Sequence, residues 1–262
     1  MKKLLVFSFV FLLLIVKVIN DTNAVKINSL TIQNDKLEAN QQVTILQISD
    51  VHNRSLDGKL DQLTELDPDL IVLTGDLIDR QTTDLTNTKN LLNKLVTMER
   101  PIYFVSGNHE QDSAIFTELK AILAGYGVIE LENRYVTIDV DGIPINLVGV
   151  ANESTGHAQL TMALENIDLS LPTILLSHTP ITPADALDLI LSGHTHGGQV
   201  RLPFIGGIIA PDQGFFPKYD KGLYQLESGA KLYIDSGLGT SMLPIRFLNE
   251  AQVSMVTIES ID

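Results

Sequence analysis

The chain has 262 residues, of which 44% are hydrophobic and 19% charged, and it has no cysteine. That length suits one α/β domain with a well-buried core. The missing cysteine excludes both a disulfide framework and a thiol-linked lipid anchor. A formal net charge of −14 argues against nucleic acid as a partner, because the phosphate backbone would be repelled unless something local reverses the field.

Residues 1–24 form a leader. Lys2 and Lys3 give a positive start, and Leu4 to Val16 is apolar apart from Ser8. Lys17 then interrupts the run, and Thr22-Asn23-Ala24 offers small residues near a cleavage point. That is the layout of a secretory signal peptide. The run is shorter than the roughly 20 residues of a spanning helix, but an uncleaved membrane anchor is the alternative. Either way the protein is expected to be exported, to the cell envelope or the exterior. If the leader stays, its N-terminus would associate with the membrane.

Residues 25–42 read as a polar N-terminal extension or edge strand, and 43–262 as the domain proper. Val43 to Ile48 predicts a first buried strand. Leu56, Leu60, Leu63 and Leu66 have helical spacing and stop before Asp67-Pro68. Leu70 to Leu73 is a second strand, 84–98 a helix with Leu85, Leu91, Leu92, Leu95 and Met98 inward, and Ile102 to Val105 a third strand. Ala114 to Leu123 is again helical. The pattern then turns mostly to strands: 128–131, 135–140 and 143–150, with Asp141-Gly142 as a hairpin turn. Strands 173–176, 189–191, 223–226, 231–234 and 253–258 follow, with a short helix after Pro183. The order βαβαβα followed by strands predicts two packed sheets with helices outside, an αββα sandwich.

Five apolar runs end in residues that bind metal. Asp50-Val51-His52 closes the first, Gly75-Asp76 the second, Gly107-Asn108-His109-Glu110 the third, Ser177-His178 the fourth and Gly193-His194-Thr195-His196 the fifth. Loops after strand C-termini are where α/β proteins build their sites. Imidazole, carboxylate and amide oxygen suit manganese, iron or zinc. Asp50 and His52, two apart on an extended chain, would share a face. Asp76 has two oxygens with which to bridge two cations, Asn108 adds a neutral oxygen, and His178, His194 and His196 complete two coordination spheres. Two metals about 3.5–4 Å apart can share a bridging hydroxide and clamp phosphoryl oxygens. His109, beside the metals but unbound, is the candidate general acid. Asp79 can orient it, and Arg80 can reach a phosphate oxygen. Asp79 and Arg80 also read as a plain structural ion pair. Glu110 reads as a support behind the ligands or as a helix N-terminal charge, and His157 as a surface residue.

The Asp-x-His, Gly-Asp-x-x-Asp-Arg, Gly-Asn-His-Glu, Ser-His and Gly-His-Thr-His segments stand in the order seen in calcineurin-like metallophosphoesterases, which this chain resembles over about residues 43–262. The stretch 191–199, with Gly237-Leu-Gly-Thr-Ser241 and Pro244-Ile-Arg246, is similar to a bacterial subgroup of exported or membrane-associated members, the YkuE/YaeI type. The resemblance implies Asp50, His52, Asp76 and His196 around one metal and Asp76, Asn108, His178 and His194 around the other, with His109 as catalytic acid.

The reading is a dinuclear phosphoesterase in which a metal-bound hydroxide attacks phosphorus, with manganese placed first and iron or zinc also suited. From the subgroup resemblance, a phosphodiester or pyrophosphate is favoured as substrate, in a phosphorylated small molecule, an envelope lipid or a sugar nucleotide. A broad phosphomonoesterase and a metal-stabilised binding protein without activity are the alternatives. The apolar segment Leu202 to Ile209 reads either as an acyl-chain or membrane contact or as core.

Overall fold

Alternation along fully buried strands sorts the core into layers. The computed structural model describes residues 2–261 apart from 57, 60, 185, 186 and 241–243. The first half contains α1 (Lys2–Asn23), β1 (Val25–Asn34), β2 (Gln42–Ile48), β3 (Leu70–Thr74), α2 (Thr86–Val96), β4 (Ile102–Val105), α3 (Asn108–Gln111), α4 (Phe116–Gly125) and β5 (Ile129–Glu130). These strands make a mixed six-stranded sheet in the order β1, last strand, β2, β3, β4, β5. The second half adds β6 (Arg134–Val140), β7 (Ile143–Gly149), α5 (Leu160–Ala163), β8 (Thr173–Leu176) and β9 (Leu189–Ser192). Two short ribbons follow, β10 (Arg201–Leu202) with β11 (Gly206–Gly207) and β12 (Ile209–Ala210) with β13 (Gly214–Phe215). The chain ends with β14 (Gly222–Gln225), β15 (Lys231–Ile234) and β16 (Ala251–Ser260). The second sheet runs β14, β15, β9, β8, β7, β6.

Every residue of β3 is buried, yet its side chains part by twos. Leu70 and Val72 face the other sheet with Ile45, Tyr103, Val105, Leu147, Ile174, Leu176, Leu189 and Leu191. Ile71 and Leu73 face outward, under α2 and α4, with Leu46, Phe104, Leu92, Leu95 and Leu119. Val148, Leu175, Ile190 and Leu232 cover the far face of the second sheet with Ala163 and Leu187. Full burial of such side chains contributes about 1.5–3 kcal/mol each. The αββα sandwich of two mixed sheets is therefore the fold, with a thinner outer layer on the second sheet, where α5 has four residues.

Two local expectations differ. The segment 56–66 is not a helix across its described residues. It holds a short 3-10 turn, Asp61–Leu63, while Gly58 sits at φ +71, a left-handed turn that breaks helical continuity. Leu56 and Leu63 are buried all the same, so the leucine spacing serves packing rather than a helix. The helix expected after Pro183 falls partly on residues 185–186, outside those described. In contrast, α1 is longer than its apolar run: Lys17 and Asp21 pair at 2.7 Å, four residues apart, which carries the helix past the interrupting charge.

Parallel pairing fixes the site. β2, β3 and β4 are parallel neighbours, as are β7, β8, β9 and β15 in the other sheet. Their C-terminal ends therefore gather at one edge, and Gln47 ties the sheets there by donating to the Ser192 carbonyl at 2.9 Å.

Candidate metal centre

The five strand-end segments meet at one end of the sandwich, at a cleft of about 860 Å³ lined by His52, Asp76, Asp79, Arg80, Asn108, His109, His194 and His196. Asp50, His52 and His196 form one group of potential ligand atoms within 4.8 Å of one another, and Asp76, His178 and His194 form another. Asp76 Oδ2 lies between them, 3.7 Å from His52 Nε2 and 3.2 Å from His178 Nε2. Its Oδ1 accepts the His109 N–H at 2.9 Å. One oxygen, rather than the two expected from the sequence, thus faces both groups. His52 Nε2 and His196 Nε2 face each other at 3.2 Å, and His196 Nε2 lies 3.5 Å from Asp50 Oδ1. His194 turns Nδ1 to His178 Nε2 at 3.1 Å.

The route to this convergence is not the extended alternation expected for Asp50 and His52. Both have φ of 51, Asp76 has 52, His194 has 69 and His196 has 49. Left-handed backbone at a non-glycine residue costs about 1–3 kcal/mol and clusters at functional sites. Left-handed kinks, not strand geometry, turn these side chains inward. The flanking glycines make room. A Cβ on Gly107 would lie 2.1 Å from Asp76 Oδ1, and one on Gly193 would lie 1.8 Å from Ser49 Oγ.

The donor set fits a pair of divalent cations. Asn108 Oδ1 is buried with no hydrogen-bond donor, a state that costs about 1–3 kcal/mol for a neutral acceptor and that a cation relieves. His178 Nδ1 donates to the Thr74 carbonyl at 2.8 Å, which leaves Nε2 as the free ligand atom. Burial disfavours the charged His178 imidazole, but the Asp76 and Asp50 carboxylates outweigh it and carry its pKa up to about 10. In the metal-free site a proton thus stands where a cation would be. Burial takes His196 the other way, down to about 3, with Asp50 opposing, so this imidazole is neutral. Burial also opposes the Asp76 carboxylate, yet His178, His52 and His109 together hold its pKa far below the usual range.

His109 forms a third group with His52 and Asp76, whose potential ligand atoms also lie within 4.8 Å of one another; its Nδ1 is 2.7 Å from Asp79 Oδ1 and its Nε2 3.9 Å from Asp76 Oδ2. The Asp79 contact is shorter than the 3.3 Å approach of the Arg80 N–H to Nδ1, so Nδ1–H toward Asp79 is the better-placed hydrogen bond. The His109 and His52 rings hold the Asp79 carboxyl well below its ordinary pKa. Arg80 lines the cleft, its guanidinium 3.5 Å from the Asp112 carboxylate. Glu110 is fully buried and accepts the N–H groups of Asp76, Gly107 and Ile78 at 2.7, 2.8 and 3.0 Å. It therefore props the Asp76 loop. Burial and then the Asp76 charge push its pKa up to about 7.

Sequence reading missed Asp212. On the turn between β12 and β13, its Oδ2 lies 2.7 Å from His194 Nε2, the nitrogen that faces away from His178. Pro211-Asp212-Gln213 reads as an ordinary turn, and nothing in its spacing points 18 residues back to His194. His157, outside the cleft, is exposed and contacts Thr155.

Comparisons with known proteins agree with this geometry. Residues 43–198 match the calcineurin-like phosphoesterase family. The chain is 32% identical over 229 residues, 82% of its own length and 79% of the relative's, to YkuE of Bacillus subtilis, an uncharacterized metallophosphoesterase. It is 31% identical, over 82% of this chain and 53% of the relative, to a Bos taurus transmembrane protein with a metallophosphoesterase domain. The solved structure of sulfate thiohydrolase SoxB from Thermus thermophilus superposes with a TM-score of 0.50 at 13% identity. It covers 77% of this chain and 53% of that one, a likeness of fold alone. With the family's matched residues running from the strand that leads to Asp50 through the loop that carries His196, this chain belongs to the calcineurin-like phosphoesterases.

Proposed function

We propose that this phosphoesterase hydrolyses phosphodiester or pyrophosphate bonds at a dinuclear centre, with His109 as general acid. The observation that carries the reading is the His109–Asp79 pair at the mouth of the centre. Asp79 would accept Nδ1–H at 2.7 Å, and in the doubly protonated ring the Nε2–H is the proton passed to a departing alkoxide or phosphate, leaving the neutral Nδ1–H ring on Asp79. Asp50, His52, Asp76 and His196 would hold one cation, and Asp76, Asn108, His178 and His194 the other. Bound there, two divalent cations supply a nucleophile at neutral pH and draw charge from the phosphoryl oxygens. Manganese is placed first, with iron and zinc as the competing occupants. Arg80, paired with Asp112 on the exposed rim, would meet an outer phosphoryl oxygen rather than the reacting atoms.

We assign a substrate from the cell envelope, a phospholipid-like or sugar-nucleotide compound. An apolar N-terminal helix of 22 residues and the apolar loop beside the cleft support that choice. The test is hydrolysis of bis-p-nitrophenyl phosphate and p-nitrophenyl phosphate by the metal-stripped full chain, with manganese, iron or zinc restored in parallel. Metal-dependent turnover favouring the diester is expected. Preference for the monoester would replace the reading by a phosphatase. Two bound ions without turnover of either ester would replace it by a binding protein.

A further inference from the structure

Among the described residues, the four most exposed large apolar side chains outside α1 lie within one short stretch: Phe204 at 108%, Phe215 at 72%, Phe216 at 63% and Ile205 at 57%. Phe204 and Ile205 form the tip between β10 and β11, and Phe215–Phe216 the end of the next ribbon, tied to the first by the Phe216 N–H to the Ile208 carbonyl. A concentrated aromatic patch of this kind on a chain with net charge −14 needs a partner.

The backbone leads from these tips to the N-terminal helix. Val200 bridges Phe247, and the Arg201 N–H donates to the Phe247 carbonyl at 2.9 Å. On either side of Phe247, the Leu248 N–H donates to Asp21 Oδ2 at 2.7 Å and the Arg246 N–H to Thr22 Oγ1 at 2.8 Å. The guanidinium of Arg54 closes on the Thr22 carbonyl. Asp21, in the last turn of α1, is fully buried, whereas Leu4 to Val16 lie open. Leu248 and Ile245, beside this junction, are 40% and 39% exposed. One strip of backbone thus joins the aromatic tips to a helix of about 33 Å, whose exposed apolar run Leu4–Val16, about 20 Å long, can enter a bilayer core of about 30 Å.

We infer that α1 is retained as an anchor and that the tips at Phe204–Ile205 and Phe215–Phe216 enter the surface of the same phospholipid bilayer. Retention follows from the junction. Cleavage near Ala24 would remove Asp21 and Thr22 and leave the Leu248 and Arg246 N–H groups without their acceptors. Aromatic side chains favour the interfacial zone. The net negative charge makes the contact apolar rather than electrostatic. The ribbon that carries Phe215 also carries Ile209 to Asp212 on the cleft wall, so docking brings the cleft to the lipid surface.

Because the chain has no cysteine, one introduced thiol can be labelled alone. The full chain, purified from the membranes of a secreting bacterial host, would carry an environment-sensitive fluorophore at F204C, F215C, L12C or E118C. Each would be placed in phosphatidylcholine vesicles with nitroxide-bearing lipid. The expected result is an intact mass that includes residues 2–24, blue-shifted and lipid-quenched emission at 204 and 215 as at 12, and no quenching at 118. Quenching should persist in high salt. A mass beginning near Val25 overturns the anchor. Water-like emission at 204 and 215 beside a quenched label at 12 overturns the docking surface. So does a blue shift that grows with protein concentration and ignores the nitroxide, which would assign the patch to a second copy.

Discussion

Gly193→Ala tests the steric basis of the centre. Gly193 has no positive φ, so an alanine there meets no backbone penalty. Its Cβ would instead fall 1.8 Å from Ser49 Oγ and 2.3 Å from Asp50 Oδ2, where ordinary contact begins at 3.4 Å. Ser49 must retreat by about 1.6 Å and the Asp50 carboxylate by about 1.1 Å, whereas functional constellations tolerate about 0.5 Å. Asp50 also accepts the His194 N–H at 3.0 Å, so its displacement moves ligands of both groups. Overpacking of this kind costs about 1–3 kcal/mol, which leaves the sandwich folded. Metal affinity should fall by at least 10–100-fold, as it does when a ligand's support is lost. The assay is the melting temperature with and without manganese, beside metal content per chain after dialysis. Manganese at about 100 times its Kd stabilises by about 2.7 kcal/mol. Wild type should show that rise, and Gly193→Ala at the same manganese concentration only about 0.4–1.4 kcal/mol of it. Gly125→Ala, which points into open space without a positive φ, is the matched control and should behave as wild type. A Gly193→Ala protein with wild-type metal content and the same rise would refute the reasoning.

Other outcomes follow from the same geometry. His109→Ala should cut turnover by about 10²–10⁴-fold with metal content unchanged, by elemental analysis. Asp79→Asn should lower turnover through the misoriented imidazole and move the alkaline limb of the pH–rate profile, the limb set by a general acid, which a purely structural ion pair would leave alone. Asp212→Ala should weaken metal binding about 10–100-fold, with Asp212→Glu restoring part of it in a calorimetric titration. His178, at about 10 in the metal-free protein, must lose its proton when a metal binds. At pH 8 the binding heat should therefore depend on the buffer's ionisation enthalpy, with at least the His178 proton released per chain and any proton on His52, whose pKa, despite burial, the nearby carboxylates also raise, adding to it. The sign for stability is that of a raised histidine. This contribution is fully present below about pH 6.5 and is lost as pH rises through about 10. Thermal melts of the metal-free protein across that range should decline on this account.

The sandwich was legible because its strands are short apolar runs bounded by turn residues. β4 begins after Pro101 and ends at Val105, as the sequence predicts, and Asp141-Gly142 forms the β6–β7 turn with φ of 52 and 85. Segments held by packing rather than periodicity were not legible. Leu56 and Leu63 are buried without a helix between them, and the two ribbons after β9 have two-residue strands too short to show alternation. At the centre, residue types and strand-end placement anticipate the clustering of Asp50, His52, Asp76, His178, His194 and His196, with Asn108 on the same cleft. The left-handed backbone that aims Asp50 and His52 is a tertiary property, and the reach of Asp212 to His194 depends on where a ribbon folds back.

The centre draws Asp50, His52, Asp76 and Asn108 from one sheet and His178, His194 and His196 from the other. Neither sheet alone can complete either group, because His196 must meet Asp50 and His178 must meet Asp76 across the sandwich. Capture of metal is thus a late event in folding, after some 145 residues of intervening chain have been threaded and the sheets have docked. Once captured, the cations act as rivets. Because the cleft opens onto ligands from both sheets, a cation can leave without the sheets parting, and the metal-free sandwich should stay closed at the Gln47–Ser192 edge while losing the stability that bound ions add.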